Sequence, residues 1–435
     1  MNLDEALAWL EGHVNLEAIM RGRREAPTLE RIRELAGLMG DPHRAYPVVH
    51  ITGTNGKGST ARMVTSLLAV RGLSVGTYTS PDLHRVNERL AWNGAPVSDE
   101  ELAELLSALA DLEDLMSARP HRFDLLTAAA FRWFADLAVD AAVLEVGLGG
   151  TWDSTNVADG AVAVVTNIEL DHQEILGPTR HDIAVDKAGI VKPGSTLVLG
   201  ETAPDLVPIF LDAGAARVWR RGVDFGWSNG RLAHGGRVID IHAPGGVYED
   251  VYLPLHGAHQ ADNAAVSVAA AEAFFDAPLV PELVAEAFAT TTSPGRMEVV
   301  GRQPLLVLDG AHNPAGARAA AATLEEEFGA VEGRVLVVGM LQGRDPVEML
   351  EALGAGGAKA VVATRAPSPR SLDPEEVAAA ARALGAPAET AETPPEAVHR
   401  ALGLAGPLDL VFVGGSLYVV GSARAALVGE PSSHK

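Results

Sequence analysis

The 435-residue chain contains no cysteine. Disulfide bridges, zinc–thiolate centres and thiol nucleophiles are therefore excluded. Positive charge is scarce: 34 lysines and arginines stand against 57 aspartates and glutamates, a formal net charge of −23. Nucleic acid, whose phosphates require a basic surface, is not an expected partner. Small anions are another matter, because a local cluster of cations and amide N–H groups binds phosphate even on an acidic protein. The bulk of the acidity reads as a solubility feature. Long apolar runs are also missing, so no segment is expected to cross a bilayer. Met1 to Glu11, which carries Asp4 and Glu5, lacks the basic-then-apolar layout of a secretory leader. These absences predict a cytoplasmic protein with no membrane partner, expected to be a monomer.

What is present fits a globular enzyme, with 47% hydrophobic and 21% charged residues. The length predicts two domains. In the amino-terminal part Val48 to Thr52 reads as a buried strand, Ser59 to Arg71 as the helix after it, and Ser74 to Thr79 as another strand. Ser98, answered by Glu101, is a capping box. Phe123 to Val139 has the apolar spacing of a long helix. Ala141 to Val146 and Ala161 to Ile168 are apolar runs of the kind buried in parallel sheets. Strands separated by helices imply a doubly wound α/β sheet. From Val218 to Leu255 the texture changes to short strands and turns, with Asn229-Gly230 as a hairpin signal. Thr290 to Gly295 resembles a linker. A second, Rossmann-like α/β series follows, with strands at Leu305–Leu308, Val335–Val338, Ala360–Ala363 and Leu410–Val413. It has no glycine fingerprint for a dinucleotide. The predicted division is a first domain over 1–293, a linker over 294–302 and a smaller second domain over 303–435. The tail from Gly429 to Lys435 reads as disordered.

Gly53-Thr54-Asn55-Gly56-Lys57-Gly58-Ser59-Thr60 sits between the first buried strand and its helix. Glycines there let backbone N–H groups turn inward around phosphate oxygens, the helix N-terminus adds positive potential, and Lys57 supplies a full charge. The spacing departs from the common phosphate-loop form: Ile51 takes the first glycine position and Gly58 separates Lys57 from Ser59. A glycine-rich turn with a surface lysine is the bland alternative, but the strand before and the helix after favour nucleotide binding, and so a P-loop ATPase domain.

This variant loop resembles that of the Mur ligase superfamily and, within it, the folylpolyglutamate and dihydrofolate synthases. Further segments are similar in the same order. They include Thr79-Ser80-Pro81, Asn87-Glu88-Arg89, Phe123 to Phe134, Glu145 to Gly150 and Asp153 to Asn156. Leu170-Asp171-His172, Asp186 to Gly189, His259 to Asn263, Pro294-Gly295-Arg296, Asp309 to Pro314 and Gly415 to Tyr418 complete the series. Single pieces are weak signals; the ordered series is a strong one.

The resemblance implies an ATP- and Mg²⁺-dependent ligase that joins L-glutamate to a folate or dihydropteroate carboxylate through an acyl phosphate. It implies that Ser80, Glu145 and His172 bind Mg²⁺, and that Asn263, Arg296 and Asp309 join the loop residues in holding ATP. Lys57, His172 and Lys187 are implied in catalysis, with Lys187 carbamylated by CO₂ to become an anion. Arg89, His312, Ser416 and Tyr418 are implied to hold the incoming glutamate, with His312 and Ser416 donating hydrogen bonds. For the folate ring, Phe123 and Asp153 offer an aromatic face and a carboxylate. Two departures stand at the folate end: Asp82 where the family commonly has His, and Thr151 where it commonly has Arg. A Mur-type ligase acting on a UDP-sugar peptide and a non-catalytic nucleotide switch are the rival readings. Against the first, no separate UDP-binding domain precedes Gly53.

Overall fold

The computed structural model describes residues 1–15 and 28–429. The chain divides into two units. The first takes Met1–Arg231, Arg237–Pro254 and Gln260–Thr291, and the second takes Leu232–Gly236, Leu255–His259 and the chain from Thr292 onward. Beyond Gly429 the tail read as disordered lies outside the described residues.

The first unit is built on β1 (Val48–Thr52), β2 (Val75–Tyr78), β3 (Leu90–Trp92), β4 (Ala95–Pro96), β5 (Ala141–Glu145), β6 (Gly160–Val165), β7 (Thr196–Leu199) and β8 (Arg217–Arg220). They form one sheet in the order β4-β3-β2-β5-β1-β6-β7-β8. Neighbours from β2 to β8 run parallel, while β3 and β4 join antiparallel at one edge. Every residue of β1 and β5 is buried, which is why their sequences are continuously apolar rather than alternating. Helix Arg122–Asp136 drives Phe131 and Phe134 into a core shared with Tyr78 and Leu144. A Cβ at Gly76 would meet the Phe134 ring at 2.5 Å, so this helix reaches β2 only because that residue is glycine. The box Ser98–Glu101 caps its helix as expected, and Thr179–Asp182 forms another.

Register positions the site. Ile51 of β1 lies opposite Glu145 of β5, and Thr52 opposite Val165 of β6. The carboxyl ends of these three central strands therefore finish together. The chain leaves β1 for β2 on one side and crosses from β5 to β6 on the other, so this edge is a topological switch point, where open α/β sheets bind ligands.

The expected hairpin at Asn229-Gly230 is not there. Strand β9 (Gly226–Ala233) runs straight through it, and turns at residues 234–235 and 244–245 connect β9, β10 (Gly236–Ala243) and β11 (Gly246–Leu253). Asn229 takes the positive φ of 53° that the dipeptide signals, but its amide donates to Asp240 Oδ2 at 2.7 Å. A Cβ at Gly230 would meet the Trp227 ring at 2.6 Å. The pair serves a local irregularity and ring packing rather than a reversal.

The second unit carries β12 (Glu298–Arg302), β13 (Leu305–Leu308), β14 (Arg334–Val338), β15 (Ala360–Thr364), β16 (Ala388–Ala391) and β17 (Leu410–Gly414), in the order β12-β13-β17-β14-β15-β16. Only β12 is antiparallel to its neighbour. Residues 298–302, read as part of a linker, instead form this edge strand, pairing Glu298 with Leu308. The side chains of Asn313, Asp345, Asp373 and Thr393 cap helices that each begin with proline. Proline suits that first position because its missing N–H would be unpaired there anyway. Here the chain places β17 between β13 and β14, so the loops after β13 and β17 emerge side by side.

Candidate active site

In the first unit the loop after β1 is held open by backbone geometry. Gly53 and Gly56 have φ of 146° and 83°, conformations that a side chain disfavours. A Cβ at Gly53 would fall 1.8 Å from Thr166 Oγ1, and one at Gly56 would fall 2.5 Å from Asn263 Oδ1. The segment after β6 fastens the loop. Asn55 N–H donates to Asn167 Oδ1 at 3.0 Å, Asn167 Nδ2 donates to the Asn55 carbonyl at 3.0 Å, and Thr54 N–H donates to the Asn167 carbonyl at 2.8 Å. Thr166 Oγ1 also donates to the Asn55 carbonyl, at 2.7 Å. Sequence reasoning missed Thr166 and Asn167; polar residues ending a buried run beside the loop strand were the available signal. The helix begins at Lys57, two residues before its expected start, and no side chain caps it. An uncapped helix N-terminus turned toward a glycine loop is a ready anion site. Lys57 Nζ donates to the Thr54 carbonyl at 3.2 Å, and Thr60 Oγ1 is buried without a partner.

Glu145 ends β5, and its Oε2 accepts the Ser80 N–H at 3.1 Å. A Cβ at Gly58 would lie 3.4 Å from Glu145 Oε2, so the carboxylate covers the first turn of the loop helix. Ser80 Oγ is buried with no hydrogen-bond partner among the described residues. An orphaned hydroxyl beside a buried carboxylate is a hard-oxygen pair that fits Mg²⁺, which takes few protein ligands and keeps water and phosphate oxygens. Among the described residues no three His, Asp or Glu side chains form a metal cluster. His172 follows β6 at a positive φ of 53°, with Nε2 at 3.6 Å from Asp171 Oδ1.

Lys187 is buried, and its Nζ donates to the Gly53 carbonyl at 2.9 Å and the Gly149 carbonyl at 3.5 Å. Burial, with the nearby charge of Lys57, pushes its pKa down to about 7. Thr151, one of the departures, donates its hydroxyl to the Asp186 carbonyl at 2.8 Å and so ties the glycine turn to the helix bearing Lys187.

At the other end of this edge the Phe123 ring lies 5.9 Å from that of Tyr78. A Cβ at Gly147 would meet Phe123 Cζ at 2.6 Å and Asp153 Oδ2 at 3.3 Å, so these three residues are brought together. The Asp153 carboxylate is turned inward: Oδ2 accepts the Leu148 N–H at 3.0 Å, and Oδ1 accepts both the N–H and the hydroxyl of Thr155. Burial pushes it up to about 6 against those bonds. Three acceptor positions of the Asp153 carboxylate are thus taken by the protein, on the side away from solvent. Arg89 Nε donates to Asp82 Oδ1 at 2.6 Å, with only 3% of the arginine side chain exposed. Burial pushes the Asp82 carboxyl up, but Arg89 outweighs it and the net shift is downward.

In the second unit the loop after β13 is organised by Asp309, whose carboxylate accepts from the Met297 and Ala311 N–H groups, each at 2.8 Å. Arg296 crosses Gly310 so closely that a Cβ there would lie 2.4 Å from Nη1. Gly415, after β17, donates its N–H to the Ala311 carbonyl at 3.1 Å, joining the two loops. Ser416 is buried, and its Oγ accepts the Tyr418 N–H at 3.3 Å as a helix cap. His312 Nδ1 lies 2.9 Å from the Gly310 carbonyl. A carbonyl only accepts, so Nδ1 carries the proton and Nε2 of the neutral ring is an acceptor.

A glycine loop at the switch point of one mostly parallel sheet, followed in the chain by a second mostly parallel α/β unit, is the architecture of the Mur ligase superfamily. The Mur ligase middle domain model matches residues 124–271, and the Mur ligase glutamate ligase domain model matches residues 295–417. Dihydrofolate synthase/folylpolyglutamate synthase of Mycobacterium tuberculosis is 38% identical over 98% of this chain and 96% of its own length. Folylpolyglutamate synthase of Lacticaseibacillus casei is 32% identical over 99% of this chain and all of its own, 100%. The solved structure of Mycobacterium tuberculosis folylpolyglutamate synthase complexed with ADP and AMPPCP superposes with a TM-score of 0.90 at 38% identity, covering 99% of each chain. That of Escherichia coli FolC with DHPP and ADP gives a TM-score of 0.84 at 29% identity, covering 97% of this chain and 96% of the other. The chain belongs to the dihydrofolate synthase/folylpolyglutamate synthase family.

Proposed function

We propose that this protein is an ATP-dependent ligase that joins L-glutamate to the carboxylate of a folate-type acid, tetrahydrofolate and dihydropteroate both being acceptors. The observation that carries this reading is the edge of the first sheet, where the phosphate loop, Lys57, the Ser80–Glu145 pair and buried Lys187 converge in a member of this family. The nucleotide and DHPP complexes of its relatives support the same pairing of substrates.

An oxygen of the acceptor carboxylate attacks the γ-phosphorus of ATP, the bond to the β-phosphate oxygen breaks, and ADP leaves. The amine of glutamate then attacks the acyl carbon, phosphate departs with the C–O electrons, and the nitrogen gives up a proton. Lys57 and the loop N–H groups hold the transferring phosphoryl group, where positioning and charge stabilisation supply the rate. Ser80, Glu145 and His172 would hold Mg²⁺, which when bound offsets phosphate charge. Asn263 backs the loop at Gly56, while Arg296 and Asp309 complete nucleotide binding. Arg89, His312, Ser416 and Tyr418 hold glutamate. Phe123 supplies a face for the flat ring. Lys187, half neutral near pH 7, is in the form that adds CO₂, and we assign the carbamate to it. The enzyme acts as a cytoplasmic monomer; among the described residues no helix is long and apolar enough to cross a membrane. Incorporation of labelled glutamate into tetrahydrofolate and into dihydropteroate tests the reading. Product requiring ATP and both substrates supports it. ATP turnover indifferent to either substrate would return the protein to the nucleotide-switch reading, and use of a UDP-sugar peptide instead would make it the Mur-type rival.

A further inference from the structure

His50 lies mid-way along β1, fully buried, with Nε2 2.8 Å from Thr155 Oγ1. The Thr155 hydroxyl donates to Asp153 Oδ1. A hydroxyl has one proton, so having given it to the carboxylate it can only accept from the imidazole. His50 is therefore the Nε2–H tautomer, and Nδ1, buried without a partner among the described residues, holds a lone pair. Burial keeps the ring neutral by pushing its pKa down to about 3. An unsatisfied buried ring nitrogen is a cost that an apolar side chain would avoid. What the imidazole provides in return is direction, since its N–H fixes which way the Thr155 hydroxyl points.

The chain of bonds ends on the turn after β5. Asp153 grips the Leu148 N–H at 3.0 Å and the Thr155 N–H at 3.0 Å, and Gly147 lies between its carboxylate and the Phe123 ring. The phosphate loop is held by different residues, Thr166 and Asn167. The two halves of the edge meet at Gly149, whose carbonyl accepts from Thr52 Oγ1 at 2.7 Å and from Lys187 Nζ at 3.5 Å, but the bonds of Thr155 and Asp153 end on the Gly147–Leu148 side.

We infer that His50 and Thr155 are positioning residues that hold the Asp153 carboxylate, and through it set the Gly147–Leu148 turn beside the Phe123 face for the aromatic acid acceptor, without acting on ATP. This rests on the ligase reading above. Thr155→Val keeps the side-chain shape and deletes the hydroxyl, while Thr155→Ser keeps the hydroxyl. Losing one buried hydrogen-bond link raises the acceptor KM about tenfold in Thr155→Val, with the ATP KM within about twofold of wild type. Thr155→Ser restores the acceptor KM to within about twofold. Histidine side-chain nitrogen NMR on the wild-type protein shows His50 neutral with its proton on Nε2, a readout that needs no variant to fold. The inference is overturned by any of three kinetic results: an unchanged acceptor KM, acceptor and ATP KM rising together, or Thr155→Ser as impaired as Thr155→Val. A His50 ring that is charged or protonated on Nδ1 overturns it equally. A wild type that glutamylates neither tetrahydrofolate nor dihydropteroate defeats the ligase reading instead, and the nitrogen spectrum still decides the bond chain.

Discussion

Buried Lys187 makes stability rise with pH above neutrality, a range in which the carboxylates are already ionised. Its pKa falls from 10.5 in the unfolded chain to about 7 in the folded one, with burial as the main cause and Lys57 second. Between those values the unfolded state binds more protons than the folded state, so stability rises with pH. From about pH 7 to about pH 9 the folded lysine goes from half protonated to neutral while the unfolded one stays charged, a gain of about 2 kcal/mol. The assay is urea unfolding at both pH values in CO₂-free buffer, in wild type and in Lys187→Met. The difference between the two proteins isolates this group from everything else that titrates. Wild type is expected to gain about 2 kcal/mol more than the variant on going to the higher pH. Equal gains in the two proteins would refute the claim that Lys187 is buried with a depressed pKa. Readmitting CO₂ then tests the carbamate, which should appear as a carbamate carbon signal in wild type and be absent from Lys187→Met.

Lys57→Ala should weaken ATP binding at least about tenfold by calorimetry while leaving the melting transition nearly unchanged, because among the described residues Nζ bonds only the Thr54 carbonyl. Ser80→Ala removes a hydroxyl that has no partner among the described residues, so it should shift the Mg²⁺ concentration for half-maximal turnover upward by about tenfold with little loss of stability. An unshifted Mg²⁺ titration would take Ser80 out of the metal site. Ser416→Ala and His312→Ala should raise the glutamate KM several-fold more than the ATP KM, and parallel changes in both would contradict the assignment of these residues to glutamate.

The strands that carry the site were legible in the sequence because both of their faces are buried, and such strands read as unbroken apolar runs. Edge strands were not: β16 is Ala-Glu-Thr-Ala and half-exposed for most of its length, and β12 contains Gly301 and lies in a stretch that reads as a linker. Asn229-Gly230 carried a true conformational signal at Asn229 and a false topological one, since a positive φ also serves within a strand. At the site, the loop glycines and Glu145 could be read from motif and strand end. Side-chain pairings could not, because they depend on which segments the sheet order brings together. The Thr166 contact with Gly53, the Asp82 pairing with Arg89 and the inward turn of Asp153 all join residues whose proximity no local pattern encodes.

The central claim is that a carboxylate is activated by phosphorylation before glutamate attacks it. The most direct measurement uses an acceptor whose carboxylate carries oxygen-18, turned over with ATP and glutamate, followed by mass analysis of the released phosphate. An acyl phosphate transfers one labelled oxygen from the acceptor to phosphate at each turnover, and that label is the predicted result. Glutamylated product formed alongside unlabelled phosphate would contradict the account.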